Sequence, residues 1–198
     1  MSTSTNAPYH HGNLRQALLE AALIILEREG EAGLGLRDLA RAVGVSPGAP
    51  YRHFDSRAAL LEALAVTGYQ RFTKAMDAVA EAKPDNMMSA MGKTYVMFAL
   101  DHANLFRLMF SPALRRDNRP GLRMAADAAY QTLRHISGGD VQTGRVAALA
   151  AWARVHGLAV LLLDGQIAIQ AGEEIEALIT AIIDNSDPAA IAPDAPIL

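Results

Sequence analysis

The sequence predicts an all-α protein of about nine helices. Apolar residues recur at helical spacing in nearly every segment, and no run shows the strict alternation or the β-branched enrichment that marks strands. The chain is 51% hydrophobic over 198 residues, which is enough to bury a substantial core. It contains no cysteine, so disulfides and thiolate metal sites are excluded and a reducing compartment is expected.

Three helices are expected in the first part of the chain. The first begins at Asn13, which can form a capping box with Gln16, and it ends at Gly30. The second is shorter and ends at Gly44, and the third spans residues 47 to about 54. These helices make up a small N-terminal domain at residues 9–57.

The rest of the chain is expected to form a larger helical domain at residues 58–186. Its helices are predicted at residues 57–82, 87–100, 105–110, 122–136, 141–164 and 173–184. The first of them is long enough to join two domains. Gly138 and Gly139 break the chain between two later helices, and the proline-containing tail at residues 187–198 is expected to be flexible.

Charge and local composition restrict the possible partners. The formal net charge of -3 gives no overall attraction to nucleic acid, so DNA binding would need a local basic patch. The first 13 residues are polar and lack a signal-peptide core, which predicts a cytoplasmic protein. The most apolar stretch, residues 146–163, carries Arg154 and His156 near its middle, so we expect a buried helix and no membrane partner.

The run LRDLARAVGVSPGAPYRHF, beginning at Leu36, has the spacing of two helices that cross at a tight turn. Ala40 is small where the helices would touch, and Gly44 can adopt the left-handed conformation that the turn needs. Ser46 can cap the next helix, with Pro47 at its first position. This pattern predicts a helix-turn-helix.

We call residues 47–54, the expected third helix, the recognition segment. Its predicted exposed residues are small or able to donate hydrogen bonds, as a helix close to a groove floor requires: Gly48, Ala49, Tyr51, Arg52 and His53. Four arginines lie between residues 36 and 57, against Asp38 and Asp55. The segment is therefore locally basic.

Taken together, Leu39-Ala40, Gly44-Val45-Ser46, Tyr51-Arg52-His53-Phe54 and Arg57-Ala58-Ala59-Leu60-Leu61 resemble the DNA-binding domain of the TetR family of regulators. The resemblance implies a homodimer on double-stranded DNA. It implies that Tyr51, His53 and Arg57 hold phosphates and that residues 46–52 face base edges. The full set of candidate DNA contacts is Arg37, Ser46, Pro47, Gly48, Ala49, Tyr51, Arg52, His53 and Arg57.

Three residues depart from the family pattern. Gly35 stands where a Thr or Ser usually caps the second helix, at a cost of a few tenths of a kcal/mol. Pro50 replaces a buried aliphatic residue and removes the first backbone bond of the third helix, which should make it shorter or tighter. Arg57 replaces the more common lysine and changes the geometry of a phosphate contact.

Two polar groups have alternative interpretations. Tyr51 and His53 could simply pack the small domain, and the neighbouring motifs favour DNA contact instead. His10 and His11 could be a metal pair or part of a solvated arm, and adjacent histidines without further ligands favour the arm. No metal site and no cofactor are predicted.

A candidate effector pocket lies where methionines and aromatic residues concentrate, between residues 87 and 110. Met91, Tyr95, Phe98 and His102 follow helical spacing on one face, and Phe106 and Phe110 lie close by in the sequence. The alternative is an irregular core filled by methionine, and both can hold, since a pocket is carved from a core.

Trp152 and His156, followed by Gly157, resemble a Trp-x-x-x-His-Gly signature in the C-terminal domain of one TetR subgroup, as does the run from Leu105 to Ser111. We include both residues among the pocket candidates. The alternative is that His156 is a hydrogen-bonded core residue, which is the more common role of a lone histidine on an apolar helix.

The last two helices carry the candidate dimer interface. One has a strip of small residues and the other an aliphatic stripe, and with their symmetry mates they could form a four-helix bundle. The candidates are Ala150, Ala153, Gly157, Leu161, Ile175, Leu178, Ile179 and Ile182.

The sequence therefore predicts a ligand-responsive transcription regulator, a repressor that binds a palindromic operator as a homodimer and is released by a small apolar or amphipathic effector. One alternative is a constitutive dimeric regulator without effector. The other is an all-helical enzyme, which is disfavoured because the chain has no paired Glu-x-x-His units, phosphate-cradling glycine loop or G-x-S-x-G turn.

Overall fold

The structure, a computed structural model, describes residues 14–114, 118–137 and 141–184. In these ranges the chain forms eight α-helices and two short 3-10 helices, and no strand. The all-α prediction is confirmed. Asn13, the histidine arm at His10 and His11, the break at Gly138 and Gly139, and the tail at residues 187–198 lie outside the described residues.

The N-terminal part consists of α1 (Leu14–Glu29), α2 (Leu36–Val43) and a 3-10 helix at each side of α2, Glu31–Gly33 and Pro50–Arg52. Helix α1 buries its leucine face, and α2 packs against α1 and against the second 3-10 helix. Gly44 ends α2 in the left-handed conformation, with φ of 74°, and its N–H bonds the last turn of the helix. This is the turn that the sequence predicted.

Helix α3 (Arg57–Ala82) is the long connecting helix. The Ser56 hydroxyl caps it by accepting the Ala59 N–H at 3.2 Å, and the helix ends at Lys83, before Pro84. It packs against α1 and also against α4, α5 and α6. Both parts of the protein therefore share this helix.

The C-terminal part contains α4 (Met87–Asp101), α5 (Ala103–Met109), α6 (Pro120–Ser137), α7 (Val141–Leu163) and α8 (Ile175–Asp184). All five lie close to the helices that periodicity predicted. Helix α4 packs against each of the other four and against α3. The buried side chains form one contiguous cluster that runs from Leu18 in α1 to Ile183 in α8, so the core of the N-terminal part is continuous with that of the C-terminal part.

Candidate DNA-binding surface and effector cavity

The recognition segment is shorter than a regular α-helix. Of the predicted residues 47–54, only Pro50–Arg52 are helical, and they form a 3-10 helix. The Arg52 N–H donates to the Ala49 carbonyl at 3.2 Å, and the His53 N–H donates to the Pro50 carbonyl at 3.0 Å. Proline at this position has no N–H to donate to a regular helical hydrogen bond. The turn is instead closed by hydrogen bonds between residues three positions apart, which is the 3-10 pattern. The predicted full helix was wrong, and the shortening expected from Pro50 is confirmed.

Ser46 does not cap the segment through its hydroxyl as the sequence suggested. The hydrogen bond that starts the turn is made by its backbone carbonyl, which accepts the Ala49 N–H at 2.9 Å. The cap residue of the 3-10 helix is Ala49, and no side chain caps it. Because the helix begins at Pro50, Ser46 lies too far before its first residue to cap it.

The two faces of the recognition segment differ in burial. Pro50 and Phe54 are buried, and the Arg15 guanidinium lies over the Phe54 ring, 5.4 Å from its centre. The predicted contact residues lie on the other side. Ala49 is half-buried, and the exposed ones are Arg37, Ser46, Pro47, Gly48, Tyr51, Arg52, His53 and, at the start of α3, Arg57.

Tyr51 is 47% exposed, which excludes the alternative that it packs the interior of the small domain. His53 is exposed as well. A methyl group added at Gly48 would meet no atom within 4 Å, so this position opens directly to solvent. The surface can therefore approach a partner closely with its backbone and offer hydroxyl, guanidinium and imidazole donors beside it.

Arg57 has a different environment from its neighbours. Its Nε donates to the Leu34 carbonyl at 2.9 Å, and its Nη2 donates to the Glu31 carbonyl. The guanidinium therefore ties the first turn of α3 to the segment that enters α2. The phosphate contact implied by the resemblance stays a prediction, and the observed hydrogen bonds hold α3 to the segment that precedes α2.

A cavity of about 340 Å³ lies inside the C-terminal part, among α3, α4, α6 and α7. Its wall is mostly apolar and aromatic. Of the predicted pocket residues, Met91, Tyr95, Phe110 and Trp152 line it. The cavity is also lined by Tyr69, Phe72 and Met76 on α3 and by Tyr130 on α6, which were not predicted. The i, i+3, i+7 spacing of the three α3 residues was a usable signal.

Four predicted pocket residues do not line the cavity. Phe98 is buried against Phe72, with ring centres 5.3 Å apart, and His102 lies beyond it at the end of α4. Because Phe72 also packs against Tyr95 at 5.2 Å, its ring stands between the cavity and Phe98. Phe106 is fully buried behind Tyr95. Helical spacing identified the face of α4, but the side chains from α3 decide how far the cavity extends along it.

His156, the fourth of them, is hydrogen-bonded to a group of residues that do line the cavity, Tyr95 and Trp152. Its Nδ1 lies 2.8 Å from the Tyr95 hydroxyl oxygen, which also accepts the Trp152 Nε1–H at 3.1 Å. Since the indole can only donate, the hydroxyl proton is free to point at Nδ1. His156 is therefore a half-buried, hydrogen-bonded residue that does not line the cavity, in agreement with the alternative interpretation.

Burial adjusts the protonation of this group. Desolvation lowers the pKa of His156 below its usual 6.5, so the ring is neutral at physiological pH and accepts from Tyr95. Desolvation also raises the pKa of Tyr95, and the Trp152 hydrogen bond only partly opposes that rise. The three side chains form a neutral, satisfied network that holds α4 to α7.

The outer face of α7 is apolar and exposed. The window Thr143–Leu163 has mean hydropathy 1.9 and is 17% buried, and by length and composition alone it could span a membrane. The prediction of a buried helix was therefore wrong for the single chain. On this face Val146 is 58% and Leu161 is 45% exposed, with Ala150 and Ala153 exposed between them.

The predicted interface residues on α8 divide into two groups. Ile175, Leu178 and Ile182 are half-buried, whereas Ile179 is fully buried in the core of the subunit. Gly157 on α7 is also half-buried. Ile179 belongs to the face of α8 that packs inward, so it is unavailable to a partner, and including it in the surface stripe was wrong.

Comparison with known proteins matches both parts of the chain. A model of the family described as "Bacterial regulatory proteins, tetR family" matches residues 18–64. A model described as "Tetracyclin repressor-like, C-terminal domain" matches residues 88–186. No curated protein matches the chain.

Solved structures agree with these matches. A protein with unknown function from Rhodococcus sp. RHA1 is 35% identical, with a TM-score of 0.76, over 90% of this chain and 96% of that chain. FadR from Bacillus subtilis, solved with stearoyl-CoA, is 14% identical, with a TM-score of 0.64, over 85% and 95%. PfmR from Thermus thermophilus, a TetR family regulator, is 20% identical, with a TM-score of 0.56, over 84% and 94%. The last two share the fold, and the family models show that this chain belongs to the TetR family of bacterial transcription regulators.

Proposed function

We propose that this chain is a ligand-responsive repressor of the cytoplasm that binds a palindromic operator as a homodimer and is released by a small apolar or amphipathic effector. The observation that carries the proposal is the combination, in one continuous core, of an exposed recognition segment and an apolar cavity. The first can read DNA, and the second can receive a ligand.

DNA contact is assigned to the exposed side of the helix-turn-helix. Tyr51 and His53 carry donors that suit phosphate oxygens. Arg52 can donate to base edges, and Gly48 and Ala49 allow the backbone to approach them. Arg37 adds positive charge nearby. Arg41 adds less, because it is paired with Asp38 at 3.1 Å. The basic patch is small, so one copy would bind weakly and two copies are needed for a stable complex.

Dimerisation is assigned to the outer face of α7 with the half-buried residues of α8. A single chain exposes the face of Val146, Ala150, Ala153 and Leu161 to water, at a cost that a second copy would remove. To bind one duplex, the two recognition segments of such a dimer would have to face the same side of it. They would need a separation of roughly 34 Å to enter successive major grooves.

The cavity favours a ligand-responsive regulator over a constitutive one, because its volume of about 340 Å³ and its mostly apolar lining with a few polar groups are those of a small-molecule site. Its rim includes Arg145, Arg154 and Asp127, so the ligand can be amphipathic. FadR from Bacillus subtilis, which shares this fold, was solved with stearoyl-CoA, a ligand with a long apolar chain. An effector of this chain acts only if it prefers a conformer with the wrong spacing of recognition segments.

We also propose that the chain belongs to the subgroup with the Trp-x-x-x-His-Gly signature. The support is that Trp152 and His156, one turn apart on α7, both bond the Tyr95 hydroxyl of α4. The signature residues would then hold α4 and α7 together in the cavity wall. The half-buried Gly157 directly follows them.

The test is a salt titration of DNA binding by the full chain. Duplexes are selected from a random pool, and affinity is measured by fluorescence anisotropy at increasing salt, with a scrambled duplex as control. Binding through several phosphate contacts should weaken steeply as salt rises. A flat salt response, or no preference for the selected duplex, would contradict the proposed function.

A further inference from the structure

The first turn of α5 is held by a residue of α1. The Glu27 carboxylate accepts the Asn104 N–H through Oε2 and the Leu105 N–H through Oε1, each at 3.1 Å. In return, the Asn104 side-chain amide donates to the Glu27 backbone carbonyl at 3.0 Å. The first N–H groups of a helix have no partner within the helix, so this carboxylate satisfies two of them. Helix α1 of the N-terminal part thus carries the residue that caps α5 of the C-terminal part.

The other end of α5 reaches the cavity. Phe110 directly follows the helix and lines the cavity, with its ring centre 4.6 Å from that of His156 and 6.3 Å from that of Trp152. The Met109 carbonyl accepts the Tyr69 hydroxyl at 2.9 Å. A ligand that displaces Phe110 would therefore act on the last turn of α5.

Helix α5 has little freedom to move without disturbing its neighbours. It lies so close to α3 that a methyl group at Gly68 would fall 2.7 Å from Met109 Sδ and 3.1 Å from Leu105 Cδ1. Leu105, Phe106 and Leu108 are fully buried. A short, close-packed helix moves as a unit, so a displacement at Phe110 also reaches Asn104 and Leu105.

We propose that Glu27 is the positioning residue that couples the cavity to the DNA-binding part, through α5. Occupancy of the cavity shifts α5, and the three hydrogen bonds carry that shift to α1, whose buried face forms the core beneath the helix-turn-helix. The coupling is reciprocal: DNA bound to the recognition segment must change α5 and the cavity wall. This inference rests on the proposed function, since it presumes that the chain binds DNA.

The reciprocity gives a test that needs no known effector. Trp152 is the single tryptophan of the chain and lines the cavity, so its emission and its quenching by acrylamide report on the cavity wall. Hydrogen exchange at residues 103–109 reports on α5. Both are measured in the full chain with and without the selected duplex, for the wild type, Glu27→Ala and Glu20→Ala. Glu20 is the matched control because it is an exposed carboxylate on the same helix that bonds Gln16.

In the wild type and in Glu20→Ala, the duplex should change the exchange rate of the α5 amides by about fivefold or more, the lower end of ordinary coupling, and should change Trp152 quenching. Glu27→Ala should still bind the duplex, because its lost bonds are to α5, but both responses should disappear. If Glu27→Ala does not fold, as judged by circular dichroism, Asn104→Ala removes one of the three bonds and should weaken the responses.

Two results would overturn the inference alone. One is a wild type that binds DNA while α5 and Trp152 do not respond, and the other is a Glu27→Ala protein that responds like the wild type. A wild type that retains no duplex would instead refute the proposed function, and the coupling with it. The two failures are therefore distinguished by DNA binding itself.

Discussion

The recognition segment and the cavity are built in opposite ways. The candidate DNA contacts are near neighbours in sequence and almost all are exposed, whereas the cavity is lined by side chains from α3, α4, α6 and α7 and several are buried. Order along the chain is enough to propose the first site, but the cavity exists only after helices that are distant in sequence have packed. Substitutions on the recognition surface should therefore alter binding and spare the fold, while those around the cavity should alter both.

Helix α7 contributes to the cavity with one face and to the proposed dimer with the other, so it gives the largest expected effect. Ala153→Glu places a carboxylate on the outer face, twice across the two-fold axis. An uncompensated charge in a dry interface costs about 3–5 kcal/mol. We expect the variant to sediment as a monomer and to lose binding to the selected duplex, while its circular dichroism remains that of a folded helical protein.

Ala78→Glu is the matched control, since Ala78 is an exposed alanine on α3 outside the proposed interface. It should dimerise and bind DNA like the wild type. If Ala153→Glu remained a dimer at the same concentration, the α7 face would not be the interface, and the exposed apolar residues would need another explanation.

Tyr51→Ala tests the claim that the recognition surface can be changed without affecting the fold. Loss of a hydrogen bond to a charged phosphate should weaken binding by about 1.5–3 kcal/mol for every duplex alike. Thermal stability should stay at the wild-type value because the side chain is 47% exposed. Gly48→Ser, on the same surface, should change which duplex is preferred instead. A large drop in melting temperature for Tyr51→Ala would show that the side chain is structural.

Features that depend on neighbouring residues could be predicted from the sequence, whereas features that depend on the packing of distant helices could not. Helix positions and the left-handed turn at Gly44 were predicted because each depends on residues within a few positions of one another. Phe98 and His102 were wrongly included in the pocket because the limit of the cavity is set by Phe72, which comes from another helix. The inward orientation of Ile179 depends likewise on the partner helix α4. Periodicity shows that a helix has an apolar face, but only tertiary packing shows what covers it.

Arg57 combines a role in the fold with a predicted role in DNA binding. It bonds two carbonyls of its own chain, and the resemblance also implies a phosphate contact. Arg57→Lys keeps the charge but cannot hold two carbonyls in the same fork. We expect a loss of about 1 kcal/mol in the free energy of unfolding, with the slope of affinity against salt unchanged. An unchanged melting temperature would show that the two carbonyl bonds do not stabilise the fold and would leave the phosphate contact as the role of Arg57.

The smallest effect is expected at His156, where protonation and stability are linked. Burial lowers its pKa in the folded protein below 6.5, so near pH 6 the unfolded chain binds more protons at this site than the folded chain. The contribution of His156 to stability is therefore complete above the mid-6 range and is lost as pH falls through the folded pKa. His156→Asn keeps an acceptor for the Tyr95 hydroxyl without a titrating ring, and the other five histidines remain in both proteins. Melting temperatures measured from pH 7.5 down to about pH 5 should fall more for the wild type than for the variant. Parallel curves would mean that the half-buried ring is protonated without cost and that the Tyr95 network does not depend on a neutral imidazole.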